Sequence, residues 1–202
     1  MMDENNRKIY TIGYAAHTIE SFIEALKNFN ITAVADVRSQ PYSRYKPDFN
    51  RENIDRDLSA NGIEYVFLGN NIGARIKAPE CYKNGQVVYD LISSHPLFQD
   101  GIDRLLKGVE KYTIALMCAE KDPINCHRTI LICKNLKRYK IEILHILDIN
   151  KCEKHVDTEF RLMKTFNLEQ PDFFLKDSER LAEAYSRQEE KIAYIAENEA
   201  EY

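Results

Sequence analysis

Short apolar runs alternate with stretches of helical period along most of the chain, and that alternation constrains the fold more than any other feature. ITAVADVRS (31–39), TIALMCAE (113–120) and IEILHIL (141–147) are mostly apolar along their length. A strand with one wet face would alternate; a strand buried on both faces reads as an apolar run, as in parallel sheets covered by helices on both sides. KIYTIGY (8–14) and IEYVFLG (63–69) add two further strands. Thr18 is placed to cap a helix carrying Ile19, Phe22, Ile23, Leu26 and Phe29 on one face. Further helices are predicted over 51–61, with Gly62 as a stop, on either side of His95-Pro96, and from the end of the fourth strand to about Tyr139. The expected fold is α/β: an open, mostly parallel, Rossmann-like sheet of about five strands with right-handed crossovers. Ligands on such sheets bind outside the carboxyl ends of the strands.

After Leu147 the pattern turns helical. TEFRLMKTF precedes a break at Gln170-Pro171, and a last helix is predicted from Asp177 to Tyr202, capped by Asp177 or Ser178. The expected organisation is an α/β domain over 1–150 and a helical C-terminal extension over 151–202. That extension packs on the domain or projects from it, and is available for self-association. Residues 176–202 hold four basic and eight acidic side chains and so carry the whole net charge of −4, leaving the body balanced. That balance argues against a general nucleic-acid coat without excluding a local basic patch. No apolar run approaches the ~20 residues of a membrane helix, and the polar start MMDENNRKIY is unlike a signal peptide. The expectation is a cytoplasmic protein with no membrane partner. Five cysteines without staple spacing fit free thiols in a reducing compartment.

TIGY, DVRSQPYSRYKPDF, the pair GIEY and LG, CAEKDPINCHR and HILDINKCEKH follow one another in an order and spacing that resembles the domain of unknown function 488 family. The likeness runs from about Lys8 to Phe166. It implies an α/β fold and a shared polar site, and no settled reaction. The family's usual start is similar to T-I-G-H-S. Here Tyr14 stands in the place of the histidine, so His17 takes over any chemical role or the role is absent.

Three polar stretches fall at strand carboxyl ends: 13–17, 36–44 and 118–128. Arg38 and Arg44 flank a proline-containing loop, and Arg128 lies near a helix start. Helix N-termini attract anions, and arginine offers a planar fork matched to phosphate. Arg75, in the long polar loop after the third strand, is placed to close over such a site, and Tyr14 to stack on a base or sugar. Asp36, Glu120 and His127 are candidates for proton transfer. The competing reading makes Asp36–Arg38 and Glu120–Arg128 structural ion pairs.

Cys118 ends an apolar strand, where thiol nucleophiles sit in rhodanese-like and phosphatase-like enzymes. The phosphatase loop, however, needs an arginine six positions on, and that position is Ile124. A buried core thiol is the plainer reading. Cys118, Cys126 and His127 offer three metal ligands, but structural zinc pairs cysteines two to four residues apart, and a gap of eight fits poorly. No metal and no cofactor are expected. The leading expectation is an enzyme acting on a phosphate-bearing substrate, a nucleotide or nucleic acid. Arg38, Arg44 and Arg128 hold the anion; Asp36, Glu120 and His127 move protons; Cys118 is a reserve nucleophile. The alternatives are a non-catalytic nucleotide or nucleic-acid binding module and a thiol sulfurtransferase.

Overall fold

The structure, a computed structural model, describes residues 7–196. Five parallel strands form the body of one sheet: β1 (Lys8–Gly13), β2 (Ala33–Asp36), β3 (Glu64–Phe67), β6 (Ile114–Cys118) and β7 (Glu142–Asp148). The strand β8 (Lys151–Lys154) adds an antiparallel edge, giving the order β3-β2-β6-β1-β7-β8. The fold is therefore the expected open, mostly parallel α/β sheet, with one strand beyond the five anticipated. The sequence KCEK is polar and largely exposed, so it carries no apolar run to announce a strand. Its charge also suits an edge, where lysines discourage pairing with another chain.

The apolar runs have the reason expected for them. Every residue of β6 is buried. Ala115 and Met117 point to one face, with Phe22 and Leu26 of α1 (Ile19–Asn28) and Ile54 and Leu58 of α2 (Arg51–Ser59). Ile114, Leu116 and Cys118 point to the other face, where they share a core with Phe98 and Ile102 of α5 (Pro96–Gly108) and with Ile130 and Leu131. Successive strand residues alternate between faces, so a strand covered on both sides must be apolar throughout. Thr18 caps α1 as expected: its hydroxyl accepts from Ser21 N at 3.3 Å, and Ser21 Oγ accepts from Thr18 N at 3.0 Å.

The long polar loop after β3 contains more structure than the sequence promised. It forms a short helix α3 (Gly69–Ile72) and a hairpin of β4 (Tyr82–Lys83) and β5 (Gln86–Val87). Asn84 and Gly85 link the two strands with φ of 51° and 78°. Two positive φ values in a two-residue link are what a type I′ hairpin turn requires, and Asn-Gly is its preferred pair. The chain then forms α4 (Tyr89–Ser94) before α5.

The segment after β6 is not the single α-helix expected. Asp122 Oδ1 accepts from Ile124 N at 3.2 Å and caps a 3₁₀ turn at Pro123–Asn125. Arg128–Cys133 is then wound as a π-helix, which passes into α6 (Lys134–Leu136) and a last 3₁₀ turn at Lys137–Tyr139. π-helical turns are rare and occur frequently at functional sites.

The C-terminal part contains α7 (His155–Thr165) and α8 (Asp177–Ile192). The residue preceding α8 is Lys176, so Asp177 opens the helix rather than capping it, and Glu179 Oε2 accepts from Lys176 N at 2.7 Å. The helix is docked: Ala184 and Tyr185 are buried, and Gln188 Nε2 donates to Ile124 O at 2.9 Å. It ends at Ile192, short of the expected end; residues 197–202 of the expected helix lie outside the described residues. No helix among the described residues is long and apolar enough to cross a membrane.

Candidate functional site at the strand carboxyl ends

Strands β2, β6 and β1 are neighbours, with Gly13 opposite Cys118 and Asp36 opposite Met117. The three polar stretches that follow them therefore lie side by side. A pocket of about 350 Å³ opens there, and Tyr14, Arg38, Cys118, Glu120 and His127 line it. That volume lies in the range of small-molecule sites. Arg75 and Tyr194 also line the pocket, with the guanidinium 4.3 Å from the tyrosine ring centroid.

Asp36 and Arg38 form a buried pair. Arg38 Nη2 donates to Asp36 Oδ2 at 2.6 Å and Nε donates to Oδ1 at 2.9 Å. Tyr65 Oη donates to the same carboxylate at 2.8 Å, and Phe49 O accepts from Nη2 at 2.9 Å. Burial alone would push the guanidinium towards losing its proton, but Asp36 holds it firmly charged. Its Nη1 is buried without a hydrogen-bond partner, and the Tyr14 ring lies 5.0 Å from the guanidinium carbon. Asp36 is thus an orienting group for Arg38 rather than an open base.

Arg128 has a different place from the one anticipated. It is fully buried, and its donors are spent inside the protein: Nη1 on Glu120 O at 2.7 Å, Nη2 on Lys121 O at 3.2 Å and Nε on Thr11 Oγ1 at 3.3 Å. Gly13 makes this possible, because a Cβ there would lie 1.8 Å from Glu120 O. The guanidinium fastens the loop after β6 to the sheet and does not line the pocket. Arg44 is exposed and away from the pocket lining. His17, the substitute considered for the family histidine, turns back onto α1, with Nδ1 3.3 Å from Ser21 Oγ.

The reactive side chains gather on one wall. Cys118 Sγ donates to Glu120 Oε2 at 3.2 Å and lies 3.6 Å from His127 Nδ1. Cys126 Sγ lies 3.9 Å from the same nitrogen. His127 Nε2 is 3.0 Å from Val37 O, so the Nε2 proton belongs to that carbonyl and Nδ1 is turned to the two sulfurs. The gap of eight fitted the spacing of a structural zinc pair poorly, yet the Pro123–Asn125 turn folds the chain back and brings both sulfurs to one imidazole nitrogen. Of the two thiols, Cys118 is driven up, by its hydrogen bond to Cys126 and by burial. Burial opposes ionisation of Cys126 as well, but the Cys118 hydrogen bond and the Arg128 charge outweigh it and draw Cys126 well down. Burial also opposes the His127 imidazolium, and the neighbouring Cys126 overcomes it. Glu120 is raised by desolvation and then by Cys126. All four groups answer to one another's charge.

Beneath this wall runs a buried polar chain that gave no sequence signal. Thr11 Oγ1 lies 2.7 Å from His145 Nδ1, His145 Nε2 lies 2.9 Å from His155 Nδ1, and Tyr185 Oη lies 3.2 Å from His155 Nε2. Tyr185 Oη then donates to Glu159 Oε1 at 2.8 Å, which also accepts from Lys137. Each ring nitrogen has a partner, and burial drives both imidazoles towards neutrality. His145 sits inside IEILHIL and His155 opens α7; only the packing of α7 and α8 on the sheet brings the two rings and Tyr185 together.

The fold and the pocket define an α/β protein with a thiol-, imidazole- and carboxyl-lined cavity at the carboxyl edge of a parallel sheet. The model of the family described as Domain of unknown function DUF488 matches residues 18–134, more than half of the chain, and the chain belongs to that family. Comparison with curated proteins gave no match, and neither did comparison with solved structures. The matched segment includes β2, β6, Arg38, Arg75 and the whole of CAEKDPINCHR, but not Tyr14 or Tyr194.

Proposed function

We propose that this protein is an enzyme acting on a small phosphate-bearing substrate, a nucleotide or a nucleotide end of a nucleic acid. The observation that carries this reading is the gathering of Cys118, Glu120 and His127 on one wall of the pocket, opposite cationic side chains. Arg38 Nη1 and Arg75 are the donors available to an anion, since Arg38 keeps one buried nitrogen without a partner. Tyr14 is already stacked on Phe49 at 4.6 Å with Arg38 over its ring, so Tyr194 is the aromatic side chain proposed to meet a base or sugar. Glu120 is the proton-transfer group best supported, because its carboxyl lies in the pocket 3.2 Å from Cys118 Sγ and is raised by desolvation and by Cys126. In this reading the 1–150 domain carries the reacting groups, and the 151–202 extension supplies Tyr194 to the roof.

The test is a thermal-shift and turnover panel of inorganic phosphate, nucleotides and short single-stranded DNA and RNA. Arg75→Ala is the companion variant, chosen because Arg75 braces no buried group. A ligand at ~100 times its Kd stabilises the native state by about 2.7 kcal/mol. The expected result is a shift with one phosphate class that shrinks in Arg75→Ala, and turnover that Glu120→Gln abolishes. Binding without turnover would make the pocket a recognition site. The absence of any shift across the panel overturns the reading.

A further inference from the structure

We propose that Cys118, Cys126 and His127 together hold a zinc ion at the wall of the pocket. Their donor atoms all lie within 4.8 Å of one another. A tetrahedral zinc with Zn–S of about 2.3 Å and Zn–N of about 2.0 Å sets sulfur and nitrogen ligands about 3.5 Å apart. His127 Nδ1 stands 3.6 Å from Cys118 Sγ and 3.9 Å from Cys126 Sγ. Cys118 gives its thiol proton to Glu120 Oε2. Two sulfurs and the His127 Nδ1 lone pair are then offered to one ion, filling three of its four tetrahedral positions. The other ring nitrogen donates to Val37 O, which is how a metal-ligating histidine is usually oriented.

Charge points the same way. Arg128 is fully buried without a carboxylate ion-pair partner among the described residues. Zinc binding would take the protons off both cysteines, and the two thiolates would cancel the charge of the ion beside the buried Arg128 guanidinium. The buried group of Cys133, His145 and His155 also meets the distance criterion. It is the weaker candidate because its imidazole nitrogens are already used in the chain from Thr11 to Tyr185.

Cys118 and His127 line the pocket and Cys126 lies behind them, so the remaining zinc position faces the cavity. Three protein ligands with one open position is the pattern of catalytic zinc. Water bound there would give a proton to Glu120, and the hydroxide left behind would form a bond to the substrate's phosphorus as the bond from phosphorus to the leaving oxygen breaks. The proton would then pass from Glu120 to the leaving group. That chemistry rests on the proposed function; the zinc site itself does not.

The experiment is zinc titration of the full reduced chain against a chromophoric chelator, with cobalt(II) as the spectroscopic probe. One equivalent of zinc at sub-micromolar Kd is expected. Cobalt should give thiolate charge-transfer absorption and the intense visible bands of a tetrahedral ion. Cys126→Ser and His127→Ala should each weaken zinc at least 100-fold, whereas Cys133→Ser should leave it unchanged. A cobalt spectrum without thiolate charge transfer, measured on the wild type and so independent of whether a variant folds, overturns the proposal. So does loss of the ion in Cys133→Ser alone. Zinc binding without turnover would sink the proposed reaction and leave the zinc site standing. Turnover by a metal-free protein would sink the zinc-hydroxide step and leave the proposed function standing.

Discussion

The Arg38 guanidinium lies 2.6 Å from the Asp36 carboxylate, with the two side chains 5% and 0% exposed. Removing one partner strands the other charge in the interior, which costs about 3–5 kcal/mol. Asp36→Asn should therefore lose that much in urea denaturation. The double variant Asp36→Asn/Arg38→Met should recover part of the loss, since it removes the orphaned charge as well. Equal stability of the single and double variants would show that the pair does not act as a unit.

Arg128 joins the loop after β6 to the sheet through two backbone carbonyls and Thr11. Arg128→Met removes the charged hydrogen bonds to the carbonyls of Glu120 and Lys121, worth about 1.5–3 kcal/mol each. Arg128→Lys should rescue little, because one ammonium lacks the fork that spans both carbonyls. Chemical denaturation of the two variants checks this. A fully stable lysine variant would count against a role for the fork.

Gly13→Ala should destabilise the protein by about 1–3 kcal/mol, the usual cost of overpacking. The new Cβ would meet Glu120 O at 1.8 Å, and that carbonyl is the one Arg128 Nη1 grips. The backbone must move, so the pocket wall should move with it. A thermal melt measures the first effect, and a fall in the alkylation protection of Cys118 measures the second.

The buried imidazoles make the fold sensitive to acid. Burial lowers His155 to about 4, and His145 is lowered in the same direction. A histidine depressed in the folded state binds its proton more readily once unfolded. Stability is therefore complete above the unfolded value near 6.5 and is lost as pH falls towards 4. His155 alone should account for about 3 kcal/mol across that window. Urea midpoints at pH 7 and pH 4.5 should fall apart in the wild type and converge in His155→Gln. An unchanged pH slope in the variant would assign the acid sensitivity elsewhere.

The parallel strands were legible because burial on both faces demands apolar residues at nearly every position. β8 was not, because an edge strand with two lysines and a glutamate looks like a loop. The hairpin β4–β5 left only Asn84-Gly85 as its trace. At the site, convergence of three strand ends followed from topology, so Tyr14, Arg38, Cys118, Glu120 and His127 were all named. What sequence reasoning missed was how each donor is spent. Arg128 looked free for an anion, yet the absent Cβ of Gly13 lets a carbonyl come close enough to occupy it. The spacing of Cys118 and Cys126 could not say whether they meet, and one 3₁₀ turn folds them back to share His127.

The roof of the pocket is made late. Tyr194 O accepts from Val87 N at 3.0 Å and Ala196 N donates to Gly85 O at 2.7 Å, so the last described stretch of chain clips onto the hairpin. During synthesis the strands and the reacting wall leave the ribosome before the stretch that roofs them. Closure waits for Tyr194 and Ala196 to emerge and pair with the hairpin. A chain halted before that stretch would carry the full set of reacting groups in a cleft with no ceiling, and for that interval solvent and metal ions would have their easiest access.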